Sequence, residues 1–430
     1  MSDSNRACRR TLTIAAAALL VVTPAINAEA QSSDVARLEA RVAELEALVR
    51  ELVDARAATP AARSEPVVES ESTATSKYTF GGYVEANANI SDYGSGDLAP
   101  ASAGTQFYIP ATIPVGGEGE GPDTDLESLE TRIFFRHDRT TEAGDSLTGY
   151  LELDFFLSVG GNERVSNSFA PRIRHGYIKY NNWLFGQTWT TFQDVAALPE
   201  NVDFVGPAEG TAFGRQTMVR YTRGPWEFAV ENPETTITPF GGGPRIVTDD
   251  GAIPDLVARY THQLDNGYLK VAGLVRELNY DFGGPSDTEI AYALSVSGKH
   301  MFGSDDLRWM ATAGPGVGRY LGLNTSNGAV LDADGNLEAI DQFGAFASYR
   351  HFWREGVRSN LTLSYLDIDN DTALTGSAVT RSVYSVHANL LYDLMPRLTV
   401  GGEIMYAQRE IETGQEGDLT RLLLTAKYGF

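Results

Sequence analysis

Asp418-Leu419-Thr420-Arg421-Leu422-Leu423-Leu424-Thr425-Ala426-Lys427-Tyr428-Gly429-Phe430 is the last stretch of the chain, and its reading decides the fold. In an extended strand Leu422, Leu424, Ala426, Tyr428 and Phe430 share one face. Arg421, Leu423, Thr425, Lys427 and Gly429 share the other, because strand side chains alternate with period two. The first face suits hydrocarbon and the second mostly suits water. In lipid an unpaired strand edge leaves backbone groups unsatisfied, so such a strand has to pair on both edges and close a barrel. An edge strand of a soluble sandwich is the competing reading.

Upstream of it, similar runs begin at Lys77, where Tyr78, Phe80, Gly82, Val84, Ala86, Ala88 and Ile90 alternate with Thr79, Gly81, Tyr83, Glu85, Asn87 and Asn89. They continue near 126–138, 145–158, 171–180, 182–190, 214–223, 224–232, 254–262, 267–277, 288–301, 305–314, 339–352, 357–368, 379–393, 397–409 and 418–430. That predicts an all-β membrane barrel of about 16 antiparallel strands, each near the length a tilted membrane strand needs. Long polar connections (91–125, 159–170, 191–213, 233–253, 278–287, 315–338, 369–378, 410–417) alternate with tight turns such as Asn181-Asn182 and Gly224-Pro225. Outer-membrane barrels segregate short periplasmic turns from long external loops in this way; a sandwich has no reason to.

The formal net charge of −23 leaves no basic stripe for phosphates, which excludes nucleic acid as an expected partner. Residues 1–30 read as a signal peptide: Arg6, Arg9 and Arg10, an apolar core from Leu12 to Val22, and Ala28-Glu29-Ala30 before Gln31. The single cysteine, Cys8, lies in that segment, so the mature chain has no thiol chemistry. Val35, Leu38, Val42, Leu45, Val49 and Leu52 then recur at heptad spacing, so 31–57 is expected to form a short periplasmic coiled coil. By itself the Val/Leu alternation favours a dimer. Residues 58–76, with Pro60 and Pro66, read as a flexible linker, and 77–430 as the transmembrane β-barrel.

Several local stretches carry a family resemblance: Pro171-Arg172-Ile173-Arg174-His175-Gly176-Tyr177, Trp183-Leu184-Phe185-Gly186-Gln187-Thr188-Trp189-Thr190-Thr191-Phe192, Arg220-Tyr221-Thr222, Glu231-Asn232-Pro233-Glu234 and Pro254-Asp255-Leu256. With the leader, heptads and linker, they make the chain resemble the DcaP-like trimeric porins of Gram-negative bacteria. The resemblance implies a homotrimer set by the barrels, outer-membrane lipid around it, and small organic anions such as dicarboxylates as solutes. The strand ending in Tyr428 and Phe430 also resembles the signal read by the barrel-assembly machinery, which would make those two residues an assembly signal.

Parity places the candidate pore residues. On the second strand Leu129, Thr131, Ile133 and Phe135 form the outward set, which puts Arg132 and Arg136 in the lumen with Arg172, Arg174, Arg220 and Arg259. Fixed guanidinium groups in a narrow pore select anions by replacing part of their hydration. The competing reading is that they only neutralise lumenal Glu130, Glu152, Asp154, Glu227, Glu231 and Asp255. The third long loop, 191–213, with Phe192, Asp194, Glu200, Asp203, Phe204 and Glu209, is expected to fold inward as a constriction, as the third loop of general porins does.

Asp332-Ala333-Asp334-Gly335-Asn336 imitates half a calcium loop but is expected to be an Asx-rich turn. The histidines (His137, His175, His262, His300, His351 and His387) fall one per segment, so no metal site and no cofactor are expected. The expected function is passive diffusion of small polar solutes, with a preference for anions and no catalysis. A barrel adhesin or structural protein, and an outer-membrane barrel hydrolase, are the alternatives.

Overall fold

The computed structural model describes residues 75–99, 102–157, 160–248, 251–281 and 286–430. The expected signal peptide, coiled coil and most of the linker lie outside these residues.

Sixteen strands alternate up and down around a closed barrel. They are β1 (Thr75–Tyr93), β2 in two pieces (Asp123–Glu127 and Arg132–Thr140), β3 (Ser146–Asp154), β4 (Arg172–Tyr180), β5 (Trp183–Trp189), β6 (Arg215–Arg223), β7 (Trp226–Glu231) and β8 (Asp255–Leu264). The second half is β9 (Gly267–Asp281), β10 (Ser286–Phe302), β11 (Asp305–Pro315), β12 (Asp341–Arg354), β13 (Val357–Asp369), β14 (Thr380–Met395), β15 (Leu398–Ile411) and β16 (Glu416–Gly429). Each pairs antiparallel with the next, and β16 returns to β1 with Tyr83 opposite Gly429 and Tyr93 opposite Leu419. Closure removes both sheet edges, the condition that the terminal strand sets in lipid.

Alternation is kept along the wall. Tyr78, Phe80 and Val84 of β1, Tyr292 and Leu294 of β10, and Tyr428 and Phe430 at the end are exposed on the outer face. Glu85, Asn87, Asn89 and Ser91 of β1 are buried on the inner one. The Phe430 N–H donates to the Gly82 carbonyl at 3.0 Å, and its ring lies 6.0 Å from Phe80. Gly82 has φ +153°, and a Cβ there would stand 2.0 Å from the Arg132 carbonyl oxygen, so the β1–β2 seam requires glycine.

One parity expectation fails. Asn87 pairs with Glu127 and Tyr83 with Arg132, so four residues (128–131) of β2 oppose three (84–86) of β1. This bulge turns Leu129 inside, where it is buried with Phe107, Phe156 and Tyr108 rather than facing lipid.

The interior is also less watery than alternation alone suggests. Towards the long loops, inward residues of the wall are apolar: Leu274, Met310, Phe346, Leu366, Ile368 and Val383 pack against Phe192, Val317, Tyr320 and Leu321 of two loops. Outside the barrel wall, Thr235–Thr238, Ile246–Thr248, Ala329–Leu331 and Leu337–Ala339 join loops 233–253 and 315–338 in a small four-stranded sheet.

Candidate functional site

The segment 191–213 leaves β5 and runs along the inner wall, and its successive residues meet successive strands. It is anchored first on β7: the Thr190 hydroxyl donates to Glu231 at 2.6 Å and the Thr191 N–H at 2.7 Å. Asp194 accepts from Lys270 Nζ of β9 at 2.5 Å and from Ser297 Oγ of β10 at 2.8 Å. The Leu198 carbonyl accepts from Arg308 of β11 at 2.6 Å. Glu200 lies between Arg350 of β12 (3.2 Å) and Arg358 of β13 (2.6 Å). The Val202 N–H donates to Glu403 of β15 at 2.7 Å, and Asp203 lies 3.9 Å from Arg421 of β16. The chain then turns back: the Gly210 N–H donates to Ser364 Oγ of β13, and the Phe213 N–H to the Tyr320 carbonyl of the sixth long loop.

Burial and charge fix the state of the acids on this segment. Burial raises Glu200, but hydrogen bonds and charge from Arg358 and Arg350 outweigh it and hold the carboxyl below its ordinary value. Asp203 and Glu209 are raised, chiefly by burial, and the charges of Arg421 and of His387 only partly offset that. Glu209 is fully buried, as is Tyr108 from loop 91–125, whose phenol is pushed well above its usual value by burial and by Glu209. Phe204 packs on Phe107 and Phe156 and lies 5.4 Å beneath the Arg174 guanidinium, while Phe192 meets Tyr320 edge-on.

The candidate arginines fall into separate groups. Arg132, Arg172 and Arg174 gather around Glu152 and Asp154 of β3: Arg174 bonds Glu152 at 2.9 Å and Asp154 at 2.7 Å, Arg172 bonds Asp154 at 2.6 Å, and Arg132 is 3.5 Å from Glu152. Arg220 and Arg259 flank Glu227 of β7, Arg259 Nε donating to it at 2.7 Å and Arg220 lying 3.9 Å away. Arg136 does not join either group; it forms a two-point bond with Asp138 on its own strand, at 2.6 and 2.8 Å.

Further cations, absent from the initial set, continue the second group around the wall. Arg308 and Arg350 share Asp306 at 2.7 and 2.5 Å, Lys299 lies 3.9 Å from it, and Arg358 adds Asp393 at 2.8 Å. From β6 to β13, Arg220, Arg259, Lys270, Lys299, Arg308, Arg350 and Arg358 thus face five carboxylates, Glu227, Asp194, Asp306, Glu200 and Asp393. Parity alone marks Arg308 and Arg350 as inward; what it lacked was the neighbour relation between strands.

Elsewhere Asp332 accepts from the N–H groups of Asp334 and Asn336 at 2.9 and 2.7 Å, an Asx turn closed by its own backbone. Among the described residues no group of three or more His, Cys, Asp or Glu side chains could hold a metal ion.

Sixteen antiparallel strands closed on themselves, an outer apolar face and an inward third long loop define an outer-membrane channel of the porin kind. The DcaP outer membrane protein family model matches residues 126–430, and the chain belongs to that family. The fold is similar to the crystal structure of the outer membrane channel DcaP of Acinetobacter baumannii, with a TM-score of 0.68 and 21% identity over 83% of this chain and 97% of that one. It is more distantly similar to an anion-selective porin from Comamonas acidovorans (TM-score 0.52, 10% identity, 83% and 100% covered). A loop-deletion form of OmpT, an outer membrane protein of Vibrio cholerae, is similar at the same TM-score of 0.52, with 11% identity and 83% and 99% covered. No curated protein matches the chain.

Proposed function

We propose that this porin passes small polar solutes by passive diffusion, prefers small organic anions such as dicarboxylates, and performs no catalysis. The observation that carries the preference is the run of bases on β6 to β13, Arg220, Arg259, Lys270, Lys299, Arg308, Arg350 and Arg358, which together face five carboxylates, two of them from segment 191–213 and one from β14. The chain's overall charge of −23 does not oppose it, since acids farther than about 8–10 Å are screened from a solute at physiological salt. Segment 191–213 would set the narrowest part of the path, and Arg132, Arg172, Arg174, Arg220 and Arg259 would contribute to the field a solute meets there. Arg136, bonded to Asp138, would add least.

The reading extends to assembly. Three barrels would associate in the outer membrane, with the N-terminal helix in the periplasm, and Tyr428 and Phe430 would serve as the signal met by the assembly machinery. The test of the channel reading is the reversal potential of the full-length protein in a planar bilayer under a potassium chloride gradient. An anion-selective sign is expected at low salt. A cation-selective sign would mean that the arginines are partners of the lumenal acids and no more.

A further inference from the structure

The first two long loops meet the loop end of β1 around a cavity of about 500 Å³. Four acids line it: Asp97 of loop 91–125, Asp123 and Asp125 where β2 begins, and Glu163 of loop 159–170. Asp123 lies opposite Ser91 and Asp125 opposite Asn89, so both aspartates share the inner face of the wall with those two buried residues. Among the described residues no base lines the cavity, Arg164 beside Glu163 included. Arg421 of β16, the next cation around the wall, is committed elsewhere. It donates to Ser91 Oγ at 2.7 Å and to the Gly104 carbonyl at 2.6 Å, and lies 3.9 Å from Asp203.

Acceptors outnumber donors here. Asp97 takes the Leu98 N–H at 2.7 Å. The carboxylates of Asp123, Asp125 and Glu163 take no hydrogen bond and form no ion pair among the described residues. Asn89 is 1% exposed; its Nδ2 donates to the carbonyl of Gln106, which lines the cavity, and its Oδ1 accepts nothing. Turning that amide over would set its oxygen against the Gln106 carbonyl, so the unmet need is for a donor. Asn87, two residues deeper, repeats the pattern: Nδ2 donates to Glu127 and Glu130 at 3.4 and 3.2 Å, and Oδ1 is unpaired. A buried acceptor without a donor costs free energy, and a ligand rich in N–H groups relieves it.

The acids are too dispersed to converge on one metal ion, since no described group of three or more acids could hold one. Asp123 and Asp125 are two residues apart along one face, about 6.6 Å at 3.3 Å per residue. Two ammonium groups joined by a short run of methylenes span that distance, and Tyr93, Leu98 and Phe169 give the methylenes an apolar wall. We infer that this cavity is a binding site for a linear organic diammonium ion. Asp123 and Asp125 take the two ammonium groups, and Asp97 and Glu163 close over them from the loops. The site is for the charge opposite to that of the solutes proposed above and does not depend on that preference.

The experiment is calorimetric titration of the full-length protein in detergent at low ionic strength, with putrescine, a four-carbon diamine, as the probe. Saturable binding is expected, about tenfold tighter than that of butylamine, which carries one ammonium group on the same chain. D123N/D125N should lose about tenfold in putrescine affinity, and E163Q about threefold, the scale of one exposed charge contact. E410Q, which removes one acid from the pair with Arg381, is the matched control and should bind as wild type does. Should D123N/D125N fail to form barrels, E163Q decides. Absence of saturable binding, equal affinity for putrescine and butylamine, or undiminished affinity in the deciding variant overturns the site. A loss in E410Q as large as that in E163Q also overturns it, because the attraction then belongs to the chain's overall charge.

Discussion

Glu209 couples the seat of the inward segment to pH. It is fully buried on the inward segment, and burial raises it, as it does Asp203. A carboxyl raised in the folded state contributes stability that is complete below its unfolded value, near 4, and is lost as pH rises through the folded one. The seat of 191–213 should therefore loosen with rising pH, which limited proteolysis within that segment at pH 6 and pH 9 would measure. Glu209→Gln carries no proton to lose and should flatten the difference; equal pH sensitivity in that variant would place the linkage elsewhere. At the seam, Gly82→Val puts side-chain atoms where only the Arg132 carbonyl fits, with a Cβ contact of 2.0 Å. A destabilisation of about 1–3 kcal/mol is expected from backbone strain alone, read as a lower unfolding midpoint in urea.

Among the elements, segment 191–213 is held by bonds distributed from β7 to β16, and the strongest convergence is at Glu200. Glu200 is shared by Arg350 and Arg358, and its carbonyl also accepts from Asn360 and Asn389 at 2.9 and 2.8 Å. Glu200→Gln keeps the shape and removes one negative charge beside two guanidinium groups. The reversal potential should move further towards anions, while the open-state current becomes noisier because the segment is less firmly held. A shift towards cations would show that Glu200 does not stand beside the conducting path. The terminal strand is tested separately: Phe430→Asp puts a charge on the lipid face and removes the aromatic end. It should lower the yield of barrel in outer-membrane fractions more than deletion of Phe430 does; an unchanged yield for both would remove any assembly role from that residue.

At the scale of the whole molecule, the net charge and the ion pairs of the inner wall have to be weighed separately. The chain carries −23 overall, while the paired groups of β6 to β13 hold more bases than acids. The balance between them is set by screening, so ion selectivity should fall as salt rises from about 0.1 M to about 1 M, where the screening length shortens from about 10 Å to about 3 Å. Reversal potentials measured at a fixed concentration ratio across that range check it. Selectivity that does not change with salt would argue for direct short-range contacts in place of a diffuse field.

The strand count, the alternation of short turns with long loops and the closure of the last strand onto the first were legible in the sequence, because each depends on local period and on the rule that lipid tolerates no unpaired backbone. Parity likewise put Arg132, Arg172, Arg174, Arg220 and Arg259 on the face opposite the lipid-facing set, and the structure shows them beside acids of the wall. It failed at Leu129, where one extra residue in β2 reverses the alternation. Partnership was not legible at all: that Arg136 is bonded to Asp138, that Arg308 and Arg350 share Asp306, and that Arg215 has an aromatic seat and no carboxylate. Nor was the apolar patch of Leu274, Met310, Phe346 and Leu366, on which Phe192, Val317, Tyr320 and Leu321 of the inward loops pack where alternation alone would leave the wall to water. Period is a property of neighbours along the chain, whereas a partner is a property of neighbours around the barrel, and only closing the sheet in one register brings those together.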